Sequence, residues 1–220
     1  MSSAIQYQGR KARRAGSEQR RQAILEAALN IIVKEGIRAV RHRAVAREAD
    51  VPLSATTYYF KDISDLIADT FTLFAERALK DVIEPFKERA FALLSQFSRD
   101  SLAEERQRLI DMMGKMMAAF IVEELNTRRG HLVAEQAFMQ EAIMDSRLRE
   151  LADLYLHQQL ESLMIATELF GSSNPRLDAE LILMAMMSIE QRLLVHPEKI
   201  SEEFVEARMC NLLDKLLPRG

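Results

Sequence analysis

The chain has 220 residues, 48% hydrophobic and 29% charged, which suits one large or two modest globular domains and excludes a disordered chain. Seven Gly, five Pro and no Trp, beside abundant Ala, Leu, Glu, Arg and Met, is helix-forming composition, so an all-α fold is expected. No apolar run nears the roughly 18 residues that span a bilayer, no apolar secretory segment follows the N-terminus, and the single Cys210 excludes an intramolecular disulfide; a cytoplasmic location is expected.

The net charge of −3 conceals a division. Residues 1–61 hold 12 Lys+Arg against 5 Asp+Glu, a net of +7, and residues 62–220 hold 18 against 28, a net of −10. A basic head on an acidic body points to a polyanion partner for the head alone. DNA fits better than a membrane surface, because the head has no strongly amphipathic basic helix with Trp or Phe on its apolar side.

In chain order, residues 1–16 end in RKARRAG and form a basic, flexible arm, whose Arg13 and Arg14 suit a DNA backbone or minor groove. Ser17 suits the N-cap of a helix running to about Glu35, with Gly36 as its stop and Ile24, Ala28, Ile31 and Ile32 on one face. Arg20 and Arg21 fall in its first turn, where the helix dipole gives a cation no benefit. An outside anion, or simple solvation, accounts for them.

The stretch RHRAVAREADVPLSATTYYF, Arg41 to Phe60, is the centre of the head. Val45, Ala46 and Ala49 give a short helix one small apolar face. Asp50 marks a turn, since Asp tolerates the left-handed conformation, and Pro52 opens a second short helix over 53–59. That helix carries Ser54, Thr56, Thr57, Tyr58 and Tyr59 and no carboxylate. Two short helices, a tight turn, hydroxyls and nearby Arg41, Arg43 and Arg47 describe a helix-turn-helix suited to phosphates and base edges.

A helix from about Ser64 to Asp81 follows, with Leu66, Ile67, Phe71 and Phe74 as its stripe, and links head to body. Glu84-Pro85 is expected to break the chain before a helix to about Phe97, and serines with Asp100 mark a loop. The helix from Glu104 to about Asn126 contains DMMGKMMAAFIVEEL. Its clustered Met and Phe suit ordinary core or the lining of an apolar pocket. Phe71, Phe74, Met113, Met116, Phe120, Phe138 and Tyr155 are the pocket candidates. Helices are expected over 131–145 and 147–170, and Gly171 to Pro175 is a strong turn. The helix from about Leu177 to Val195 is apolar on nearly every side and needs partners on two faces, one of them a second subunit. Leu156, Leu160, Leu163, Leu183 and Met187 are the candidates for that interface, and a last helix spans 201–217. The four His are scattered and no phosphate loop, H-E-x-x-H or metal spacing occurs, so no enzyme activity, cofactor or metal is expected.

AILEAALNIIVKEG, then AVAREADVPLSATTYYFKDISDLI, then an acidic helical body, resembles the TetR/AcrR-type transcriptional regulators. The resemblance covers about Ser17 to Phe74, with Val45, Ala46, Ala49, Val51, Phe60 and Leu66 in register. Asp50 stands where the family usually has Gly, Thr57 occupies the usual Tyr slot, and Ile63 replaces a common Lys whose phosphate contact passes to Lys61. The resemblance implies a three-helix DNA-binding domain over 17–62 and a helical effector-binding and dimerisation domain over 63–220. It implies a homodimeric repressor on a near-palindromic operator, released by a small apolar or amphipathic effector, bound to DNA in the nucleoid. Ser54, Ala55, Thr57 and Tyr58 would face bases or the groove wall; Tyr58, Tyr59, Lys61, Arg41 and Arg43 would hold phosphates. The alternative is an architectural or adaptor DNA-binding protein without an effector.

Overall fold

Gly36 and Gly171 take positive φ, 84° and 77°, and both end helices, as their places in the sequence lead one to expect. The computed structural model describes Tyr7, residues 15–97 and residues 104–217, and no strand occurs among them. The α-helices are α1 (Ala15–Glu35), α2 (His42–Glu48), α3 (Leu53–Tyr59), α4 (Ile63–Ala78), α5 (Glu84–Leu94), α6 (Arg106–Thr127), α7 (Arg129–Ala142), α8 (Ser146–Leu169), α9 (Pro175–Val195) and α10 (Glu202–Leu216). No helix among the described residues is long and apolar enough to cross a membrane.

Packing divides the chain into two units. The first takes in residues to Ala78 together with Val133–Tyr155; the second takes in Leu79–Leu132 and Leu156 onward. A division by role at 62/63 and this division by packing therefore differ: α4, most of α7 and the start of α8 pack with the head.

In the first unit, the apolar face of α1 is buried as its periodicity predicts, with Ile24, Leu25, Ala28 and Ile32 against Val40, Val45, Phe60 and Leu66. Two expectations for α1 are corrected. The helix begins at Ala15, so Ser17 lies inside it and does not cap it; its hydroxyl meets the Tyr59 hydroxyl at 2.8 Å. Arg21 needs no outside anion. It is 3% exposed, and its Nη2 donates to Asp69 Oδ2 of α4 at 2.6 Å, while Nη1 donates to Glu18 Oε1 at 3.3 Å. Its guanidinium lies 4.4 Å from the Tyr7 ring centre and 5.7 Å from that of Phe60. The Tyr7 hydroxyl donates to Glu76 at 2.5 Å; burial, then that carboxylate, pushes the phenol well above its ordinary range.

The expected break at Glu84-Pro85 is also corrected. α4 gives way to a π-helical turn, Leu79–Ile83, and Pro85 sits in the first turn of α5. A proline lacks an N–H and crowds the carbonyl four residues back, and a widened turn accommodates both defects without ending the helix.

The second unit is built on α6 against α10. Gly114 is buried there, and a Cβ on it would lie 2.2 Å from Cys210 Sγ, so the missing side chain lets the two helices approach. Met113, Met117 and Ile121 pack with Val205, Met209 and Leu213, and with Ile182, Met186 and Leu193 of α9. Arg106 closes the end of α10, donating to Asp214 Oδ1 at 2.8 Å and to the carbonyls of Asp214 and Leu217 at 2.6 and 3.1 Å.

Asp69→Asn leaves the buried Arg21 charge with only the partly exposed Glu18 as counter-ion and is expected to cost about 3–5 kcal/mol in denaturant unfolding. Gly114→Ala is expected to cost about 1–3 kcal/mol, and adding Cys210→Ala should recover most of that loss; equal losses in the single and double variants would refute the close-approach explanation.

Candidate nucleic-acid interface and ligand-binding body

The head's geometry starts at the turn between α2 and α3. Asp50 adopts φ 50°, the left-handed conformation expected of it, and is the one non-glycine residue among those described with positive φ. The turn is held by Val51 N donating to Ala46 O at 3.0 Å, and Pro52 enters α3 at φ −59°. Val45 and Ala46 of α2 are buried.

α3 then has two chemically different faces. Inward go Thr56 and Tyr59, followed by Phe60; the Thr56 hydroxyl donates to Leu53 O at 2.8 Å. Outward go Leu53, Ser54, Thr57 and Tyr58, with Ala55 half-buried between. The Thr57 hydroxyl reaches back to Ser54 O at 3.3 Å, and the Tyr58 ring stands edge-on to Tyr59 at 5.1 Å. Arg41, Arg43 and Arg47, in and just before α2, and Lys61, just past α3, are exposed; Arg41 Nη1 donates to Val40 O at 2.8 Å. Tyr59, assigned to phosphate from the sequence, is 5% exposed with its hydroxyl on Ser17, which makes its ring part of the core. Arg13 and Arg14 lie outside the described residues.

The pocket candidates fall into two groups. Phe71, Phe74, Phe138 and Tyr155 form one aromatic group in the first unit: Phe71 stacks on Phe138 with centres 4.6 Å apart, and Tyr155 stands edge-on to Phe71 and Phe74 at 6.2 and 5.8 Å. Glu135, 4% exposed, accepts a 2.8 Å hydrogen bond from the Tyr155 hydroxyl. Met113, Met116 and Phe120 belong to the core of the second unit, where Phe120 meets Phe86 at 4.4 Å.

The interface candidates are more buried than a free surface. Leu160 is 9% exposed, and Leu156, Leu163, Leu183 and Met187 are half-buried. On the same two helices, Ile165 and Leu169 of α8 and Leu177, Leu181, Met184 and Val195 of α9 are exposed apolar residues. On α9 the exposed positions 177, 181, 184, 188, 191 and 195 alternate spacings of four and three, the spacing of a coiled-coil seam. Sequence reasoning missed this stripe because α9 is apolar almost all round.

Known structures resemble this arrangement over nearly its whole length. A member of the TetR family from Streptomyces coelicolor A3 is similar at 24% identity with a TM-score of 0.61, over 91% of this chain and 99% of that one. The multidrug-binding protein EbrR in complex with ethidium is similar at 24% identity and a TM-score of 0.61, over 90% and 99%. A transcriptional regulator from Rhodococcus sp. Rha1 is similar at 16% identity and a TM-score of 0.62, over 89% and 95%. The fold is that of the TetR-family regulators. No protein-family model and no curated protein sequence matches the chain.

Within the TetR fold, the departures named from the sequence acquire places. Asp50 does the left-handed duty usually given to Gly, and Ile63 is half-buried at the start of α4, against the head's core, while Lys61 is exposed two residues earlier. Asp50→Gly and Asp50→Asn are expected to fold as well as the parent, whereas Asp50→Val should lose about 1–2 kcal/mol, because a β-branched residue meets the left-handed region poorly.

Proposed function

We propose that this chain is a homodimeric, ligand-responsive transcriptional regulator, acting as a repressor in the cytoplasm on a near-palindromic DNA operator. The observation that carries the reading is the outward face of α3, hydroxylic apart from Leu53 and free of carboxylates, in a basic head with exposed Arg41, Arg43, Arg47 and Lys61 on a TetR fold. Phosphates take the basic residues and base edges take Ser54, Ala55, Thr57 and Tyr58. The exposed stripe on α9 supports a second copy as its cover, since such a seam in water is a cost that dimerisation removes.

Control by an effector has a physical route inside the first unit. α4 carries Phe71 and Phe74, which pack on Phe138 and Tyr155, and also Asp69, which holds Arg21 beside Phe60 at the end of α3. A ligand that parts the aromatic rings moves α4, and the Asp69–Arg21 pair passes that movement to α3. It releases DNA only by binding the displaced state more tightly. EbrR's ethidium makes planar aromatic cations the first compounds to try, and the buried Glu135 carboxylate supplies a matching charge. The close stacking of Phe71 on Phe138 favours the second reading, a DNA-binding adaptor that takes no effector.

Fluorescence anisotropy on the DNA upstream of this chain's own coding region, and on duplexes selected from a random pool, tests the regulator. Tight binding that falls steeply with salt and survives unrelated DNA is expected, with Arg43→Ala lowering the salt slope by about one. Equal affinity for every sequence would sink the operator. Ethidium and related cations are expected to release the DNA; if a broad compound screen leaves it bound, the adaptor reading stands. Leu181→Glu with Met184→Glu is expected to yield a folded monomer in sedimentation, and an unchanged dimer would remove α9 from the interface.

A further inference from the structure

We propose that α3 reads thymine methyl groups in the major groove, with Leu53 as the side chain that sets this specificity. The proposal rests on the regulator reading and adds what the operator must contain. Its ground is an inventory. LSATTYY, Leu53 to Tyr59, contains no Arg, Lys, Asn, Gln, Asp or Glu, the side chains that make directed or paired hydrogen bonds to guanine, adenine and cytosine. Two of its four remaining hydroxyls besides Ser54, those of Thr56 and Tyr59, are turned inward on Leu53 O and Ser17. The Thr57 hydroxyl has its donor directed at backbone carbonyls of its own helix. What remains, the hydroxyls of Ser54 and Tyr58, are single rotating groups that can touch a base edge but discriminate bases less sharply than a paired contact.

It does hold out an apolar group. Leu53 is 41% exposed at the leading end of α3, on the same outward face as Ser54, Thr57 and Tyr58. A single exposed leucine is ordinary on most surfaces. Here it shares the outward face of α3 with Ser54, Thr57 and Tyr58, in a head whose net positive charge draws it to a polyanion. A major groove presents one apolar feature, the C5-methyl group of thymine. Leu53 against that methyl buries both, while basic residues elsewhere in the head meet the phosphates.

The test uses the full chain and its preferred duplex selected from a random pool. Each thymine of a half-site is replaced in turn by uracil, which keeps every hydrogen-bonding group and removes only the methyl. At one or more positions, uracil is expected to weaken binding about fourfold for each methyl lost. Leu53→Ala is expected to bind thymine DNA more weakly and to be indifferent to uracil at those positions, and its exposure makes the substitution compatible with folding. Specific binding that ignores every uracil replacement, a selected half-site without thymine, or a uracil penalty unchanged in Leu53→Ala would each overturn the proposal. A pool that yields no preferred sequence would instead overturn the regulator reading itself.

Discussion

A guanidinium and a carboxylate buried together hold the head in one arrangement. Arg21 and Asp69 are almost wholly removed from water, and their 2.6 Å contact compensates much of the cost of burying each charge. Their placement matters more than their strength. Arg21 belongs to α1, Asp69 to α4, and the same guanidinium lies between the rings of Tyr7 and Phe60, the latter ending the segment that presents α3. The pair therefore ties α4 to α1 beside the residue that ends α3. Tyr7, kept protonated by burial and by Glu76, closes the exposed side of this junction.

The dependence is sharpened by the shortness of α2 and α3. Helices of seven residues have no independent stability in water, so their geometry is set entirely by what they rest on. Thr56, Tyr59 and Phe60 face the core and fix the rotation of α3, and Asp50 in the left-handed conformation fixes the angle at which it leaves α2. Once the rotation is fixed, Leu53, Ser54, Thr57 and Tyr58 have no interior to fill. They are the surface the head offers, and its chemistry is hydroxylic and apolar, with the positive charge supplied from outside the helix.

In the second unit the governing constraint is close approach. Gly114 lets α6 meet α10 at Cys210, and this contact organises a Met-rich core that leaves one edge of α9 outside. What sets this edge apart is that Leu177, Leu181, Met184 and Val195, apolar side chains, stand exposed along it. Ser188 and Gln191 interrupt the apolar run in its middle.

Features that depend on neighbours in sequence were legible from sequence alone. Helix periodicity, the stops at Gly36 and Gly171 and the left-handed Asp50 follow from local sterics and from burying apolar faces. Partners far apart along the chain were not. Arg21 finds Asp69 across 48 residues, and Ser17 finds Tyr59 across 42, turning a supposed cap and a supposed phosphate ligand into core contacts. The aromatic and methionine residues that composition groups together as one lining are shared between two separate cores. In α9, apolar on nearly all sides, hydrophobic pattern carries no phase, so only packing against α6 and α10 decides that Ile182 and Met186 are buried while Leu181 and Met184 face water.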